Sequence, residues 1–108
     1  MVQSHGQSLM SFFKSRFKIK GLYLLDEPET ALSPASLIDL VRLIAQTSRA
    51  GHAQFIIATH SPIILACPTA LIYNFSASAL DPIGYEETEH FKVYKRFMQD
   101  PSRYLHDI

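Results

Sequence analysis

The sequence predicts an α/β fold, a parallel sheet flanked by helices, on three observations. Two short, nearly continuous apolar runs at residues 21–25 and 54–59 have the length and composition of strands buried on both faces. Each run is followed by a Ser-Pro pair, Ser33-Pro34 and Ser61-Pro62, and a capping hydroxyl ahead of proline is a helix-start signal. Between the runs lies an amphipathic segment, and strands that alternate with helices build parallel sheets with right-handed crossovers.

The elements follow in chain order. Residues 7–17 read as a short helix with a broad apolar face of Leu9, Met10, Phe12, Phe13 and Phe17. Lys14, Arg16, Lys18 and Lys20 put positive charge at its C-terminal end, which suits the helix dipole, and Gly21 stops it. The first strand then runs into Asp26-Glu27-Pro28. Pro34 opens a helix reaching about Arg49, striped by Leu37, Leu40, Val41 and Ile44 and ended by Gly51. After the second strand, Pro62 opens a short helix to about Ala66. Residues 70–75 read as a third strand, and Asp81-Pro82-Ile83-Gly84 as a turn toward a weaker strand near Tyr85-Glu86. Thr88 caps a helix reaching about Met98, and Asp100-Pro101 starts a last short one.

Bulk properties narrow the function classes. A chain of 108 residues holds one small domain, and 47% hydrophobic with 19% charged residues is the balance of a folded protein. Ten basic and ten acidic residues cancel, so no global charge draws the chain to nucleic acid or anionic membrane. Cys67 is the only cysteine, which excludes an internal disulfide and a cysteine-based metal site. A reducing, cytoplasmic setting fits. No apolar run approaches the ~18 residues of a membrane-spanning helix, and the N-terminal stretch lacks an apolar core ahead of a small-residue cleavage site.

Four short segments carry the chemistry. Leu22-Tyr23-Leu24-Leu25-Asp26-Glu27 sets an acid pair at a strand's carboxyl end, where open α/β sheets bind ligands. A hard cation needs oxygen ligands, which points to Asp26, and the neighbouring Glu27 can polarise a water as general base. Taken alone, the pair also fits an exposed turn before Pro28. Ile56-Ile57-Ala58-Thr59-His60-Ser61-Pro62 sets His60 at the second strand's end, within reach of the same ligand; by itself a lone histidine is more often structural. Ser4-His5-Gly6-Gln7-Ser8 precedes a helix, and a hydroxyl, a glycine amide and a helix N-terminus together form an anion site. Glu29-Thr30-Ala31-Leu32-Ser33-Pro34 connects the acid pair to the long helix.

The order and spacing of these segments resemble the ABC-type ATPases, with signature, Walker B, D-loop and H-loop in that order. Gln3-Ser4-His5-Gly6-Gln7 corresponds to the signature, residues 22–26 with Glu27 to Walker B and its glutamate, residues 30–34 to the D-loop, and His60 to the switch histidine. The wording Asp-Glu-Pro-Glu-Thr-Ala-Leu-Ser-Pro with Ala-Thr-His-Ser-Pro is similar to soluble, stand-alone ATPases of the ABC/AAA kind rather than to transporter subunits. The resemblance implies a partial P-loop NTPase fold, with residues 1–108 forming the C-terminal portion of one ATPase domain. It implies ATP and Mg²⁺ as cofactors, with ATP sandwiched between two head-to-tail domains. Glu27 and His60 would be catalytic, Asp26 would hold the metal, and Ser4, Gly6, Gln7 and Ser33 would bind nucleotide across the interface. Two departures stand out. His5 replaces a signature glycine, and no Gly-x-x-x-x-Gly-Lys-[Ser/Thr] occurs in the 108 residues. That loop supplies the amide cradle and lysine for the phosphates. The expectation is a fragment or a split gene, which alone neither binds ATP tightly nor turns it over.

Two other readings use the same residues. The chain could be a non-catalytic remnant or interaction module that pairs with a P-loop-bearing chain, its motifs inherited rather than used. A nucleic-acid role would rest on Lys14, Arg16, Lys18 and Lys20, a run that reads first as a solvated helix end.

Overall fold

The two apolar runs form parallel strands, as expected, but they are covered on one face only. The computed structural model describes residues 5–76 and 79–108, which divide into the units Met1–Ala70 and Leu71–Ile108. In the first unit, helix α1 (His5–Arg16) leads to strand β1 (Gly21–Asp26), a 3₁₀ turn (Pro28–Ala31), helix α2 (Pro34–Ala50), strand β2 (Ala53–Ala58) and the one-turn helix α3 (Pro62–Leu65). β1 and β2 pair in parallel from Gly21↔Ala53 to Asp26↔Ala58, with α2 as the crossover. The result is a mixed α/β fold with a parallel sheet and flanking helices.

Side chains alternate across a strand. Tyr23 and Leu25 of β1, with Phe55 and Ile57 of β2, pack against a core of Met10, Phe17, Leu37, Leu40, Ile44 and Ile64. Leu22, Leu24 and Ile56 are exposed, Leu24 by 70%. The expectation of strands buried on both faces is therefore corrected: α1, α2 and α3 all contribute residues to the same core. Aromatic rings tie it together. Phe17 meets Phe55 edge-on at 4.8 Å and Tyr23 at 5.0 Å, and Tyr23 stacks on Phe55 at 5.4 Å, arrangements that favour the ring quadrupoles.

The helix boundaries have local causes. Ser33 accepts the Ser36 N–H at 3.2 Å and Pro34 follows at the first helical position, a pairing that satisfies an orphan donor and presets φ. Gly51 ends α2 with φ 87°, a left-handed position that glycine takes without a Cβ penalty. Ser61 caps α3 through the Ile63 N–H at 3.2 Å. α1 departs from expectation twice. Phe12 is exposed, so its apolar stripe is the narrower Met10, Phe13, Phe17 set. Gly21 opens β1 rather than stopping α1; the helix's last carbonyls are taken instead by side chains. Tyr23 donates to the Arg16 carbonyl at 2.6 Å and also meets that of Ile19, and the His52 ring lies 2.8 Å from the Phe17 carbonyl.

In the second unit, β3 (Ile72–Ser76) pairs antiparallel with β4 (Ala79–Ile83), registering Ile72↔Ile83 through Ser76↔Ala79. The third strand does not extend the parallel pair; it belongs to its own two-stranded sheet. Asp81-Pro82 lies inside β4, not in a turn, because a two-stranded sheet is all edge and tolerates a residue without an N–H. Tyr85–Glu87 is a 3₁₀ turn rather than a strand. Thr88 caps α4 (Glu89–Gln99) as expected, accepting the Phe91 N–H at 3.2 Å and donating to the Tyr85 carbonyl at 2.7 Å. Helix α5 (Ser102–Leu105) ends the chain's regular structure.

Candidate active site

β1 ends on Asp26 and β2 on Ala58, and these two are register partners, so the loops that follow leave the sheet side by side. Glu27 extends the ladder by one bond, its N–H donating to the Ala58 carbonyl at 2.8 Å. It then adopts φ 47°, ψ 55°, the only positive φ at a non-glycine position among the described residues. A left-handed backbone costs such a residue roughly 1–2 kcal/mol, and conformations of this kind concentrate at functional sites. The loop enforces it: Pro28 starts the 3₁₀ turn, and Thr30 donates both its N–H (3.1 Å) and its hydroxyl (2.9 Å) to the Glu27 carbonyl.

The second loop brings His60 to Glu27. The imidazole Nε2 lies 3.5 Å from the Glu27 Oε1, with side-chain exposures of 74% for His60 and 48% for Glu27. Both side chains are solvent-exposed. Asp26 is also exposed, one residue before Glu27 at the strand end. Among the described residues no group of three or more His, Cys, Asp or Glu side chains could hold a metal ion by themselves.

Glu29 stands out as a residue that sequence reasoning left in a connecting loop. Its Oε1 accepts the Thr59 hydroxyl at 2.7 Å and its Oε2 accepts the His60 N–H at 2.9 Å. Partial burial pushes the Glu29 carboxyl up, but the His60 N–H, the Thr59 hydroxyl, Glu29's own backbone N–H and the charge of the His60 ring together outweigh it and hold the group below its ordinary value of 4.5. Thr59 in turn accepts the Ser61 N–H at 3.0 Å. The signal available in the sequence was the third acid of Asp26-Glu27-Pro28-Glu29; its direction depends on the left-handed Glu27 and the turn behind it.

The other expected site residues are Ser33, Gly6, Gln7 and Ser4. The Ser33 hydroxyl is engaged at the start of α2, accepting the Ser36 N–H and donating to the Ser36 hydroxyl at 3.1 Å. Gly6 and Gln7 lie in the first turn of α1. Ser4 lies outside the described residues. No helix among the described residues is long and apolar enough to cross a membrane.

Comparison with known proteins bears on the same segment. The model of the family described as "AAA domain, putative AbiEii toxin, Type IV TA system" matches residues 13–66, half of the chain, and the matched stretch contains Asp26, Glu27, Glu29 and His60. Among solved structures, a chain from work on the ATP-driven dimerization and DNA-stimulated activation of SMC ATPases superposes with a TM-score of 0.59 at 19% identity. The match covers 90% of this chain and 62% of that one, so the chain spans less than two thirds of that protein's length. At this identity the likeness is one of fold. No curated protein matches the sequence.

Proposed function

The chain belongs to the AAA domain family whose model it matches, and from that premise we propose that it is the hydrolytic part of an ABC-type ATPase, acting on ATP held between two head-to-tail domains. The observation that carries this reading is the approach of Glu27 to His60 at 3.5 Å, beyond the carboxyl ends of two register-matched parallel strands. Ligands of open α/β sheets sit there.

In this reading Glu27 is the general base. Its carboxylate accepts a proton from water as that water bonds to the γ-phosphorus and the bond to the bridging oxygen breaks, so that ADP leaves and phosphate is formed. The His60 Nε2 hydrogen-bonds the γ-phosphate oxygens and keeps the water and phosphate in line, which is positioning plus charge stabilisation rather than covalent chemistry. Asp26 offers the oxygen donor for Mg²⁺. An exposed carboxylate at a strand end suits that ion, which binds through one or two carboxylates plus phosphate oxygens and water rather than through an all-protein cage. When bound, the ion neutralises charge on the phosphates.

Ser4, Gly6 and Gln7 serve the nucleotide of the opposing domain, and Ser33 crosses the same interface while capping its own helix. The amide cradle and lysine of a P-loop come from a P-loop-bearing segment or a second ATPase domain, the proposed partner. The setting is cytoplasmic.

Hydrolysis of MgATP by the chain together with a P-loop-bearing partner, comparing wild type with Glu27→Gln, tests the reading. Loss of a general base is expected to lower kcat about 10²- to 10⁴-fold while nucleotide binding persists. Equal turnover by the variant removes Glu27 from the mechanism. Micromolar MgATP binding to the chain alone in isothermal titration removes the need for the partner.

A further inference from the structure

Glu29 is the carboxylate that joins the two loops. It reaches 30 residues along the chain to Thr59 at 2.7 Å and 31 to the His60 N–H at 2.9 Å. Hydrogen bonds to an ionised acceptor are roughly twice as strong as neutral ones. Because the Thr59 hydroxyl also accepts the Ser61 N–H, three successive residues after β2 are tied to this one group, directly or through one atom. The His60 N–H belongs to the same residue as the ring that meets Glu27, so holding the amide fixes the backbone from which the ring extends.

We propose that Glu29 is a positioning residue: its carboxylate clamps the Thr59–His60 backbone to the turn that carries Glu27, and thereby fixes the approach of the His60 imidazole to the Glu27 carboxylate. The bearing of this clamp on hydrolysis rests on the function proposed above; the clamp itself does not. Among the described residues, the His60 ring acts on Glu29 through its charge, and Glu27 meets that same ring. Glu29 has no direct part in the proton transfer. Its carboxylate keeps the loops that carry Glu27 and His60 in register.

The test is ¹H–¹⁵N NMR of the full chain across a pH series, without nucleotide, on wild type, Glu29→Gln and Glu27→Gln. In wild type and Glu27→Gln the His60 amide is expected to follow a carboxyl titration lying below the usual glutamate range. In Glu29→Gln that response disappears and the His60 imidazole signals shift as the ring leaves Glu27. Thr59→Ser, which keeps the hydroxyl, leaves the His60 signals at their wild-type positions, and Thr59→Val moves them part of the way. An amide response that survives in Glu29→Gln, or imidazole signals unchanged there, overturns the proposal. Should Glu29→Gln fail to fold, the wild-type series still decides: a His60 amide indifferent to any carboxyl titration rejects the clamp. Failure of the assembled protein to hydrolyse ATP would count against the proposed function and leave these signals unaltered.

Discussion

Glu27 leaves β1 through a backbone conformation that its own loop enforces, whereas His60 leaves β2 and is held by a carboxylate belonging to the other loop. The first loop is self-supporting. Thr30 closes it onto the Glu27 carbonyl, and it runs straight into the 17-residue α2, whose Leu40 is fully buried. The second loop is three residues long and ends in a helix of only four. Its Thr59 hydroxyl and His60 N–H both look across to Glu29. The difference teaches that the Glu27 and His60 side chains are not equally autonomous: strain carried in a backbone turn places one, and hydrogen bonds to a carboxylate of the neighbouring loop hold the backbone of the other.

Substitutions can break this asymmetry, and the largest effect falls on chemistry. Glu27→Gln keeps the size and the backbone of the first loop, so the loss of two to four orders of magnitude in kcat expected of a missing general base should come with an unfolding midpoint close to wild type in a denaturant melt. A large loss of stability would mean that the carboxylate, not the turn, holds that loop.

Next come the caps, which test how each loop is anchored. Ser33→Ala removes the hydroxyl that satisfies the Ser36 N–H at the start of a long helix, and about 1 kcal/mol of global stability should go with it. Ser61→Ala removes the equivalent bond in α3. Four residues contribute little to the global unfolding equilibrium, so its cost should be smaller and confined to local opening. Chemical denaturation compared with amide exchange separates the two, and equal global costs would erase the contrast.

Acid should loosen the second loop selectively. Glu29 is held below 4.5 in the fold, with burial opposing and the His60 N–H and Thr59 hydroxyl prevailing. A carboxyl with a depressed folded pKa contributes stability that is fully present above its unfolded value and is lost as pH falls through its folded value. The stability gap between wild type and Glu29→Gln should therefore be constant above pH 4.5 and close on further acidification. Urea melts at a series of pH values measure it, and a gap that widens in acid would contradict the sign.

Much of this layout was legible in the chain because local chemistry announces it. Ser33-Pro34, Ser61-Pro62 and Thr88 are caps whose mechanism needs only neighbouring residues, and each starts a helix where expected. The acid pair and the histidine were legible because two apolar runs of strand length end on them. What escaped depends on tertiary context. Asp81-Pro82 carries a turn signal, yet pairing with Asn74 and Tyr73 makes it strand. Leu22, Leu24 and Ile56 look like the inside of a fully covered sheet, and only the packing of the helices reveals which face is filled. Glu29 could not be singled out, because its reach to Thr59 follows from how the chain turns at Glu27 and not from any spacing.

The left-handed backbone of Glu27 also predicts how this molecule would respond to selection. Glycine is the residue best suited to that conformation, and Glu27→Gly should relieve strain and raise stability by up to about 1 kcal/mol while deleting the carboxylate. A library of variants sorted for heat resistance alone would accumulate glycine at position 27, and the same library sorted for turnover would return glutamate. Sequencing the two pools would show whether robustness and catalysis pull this single position in opposite directions.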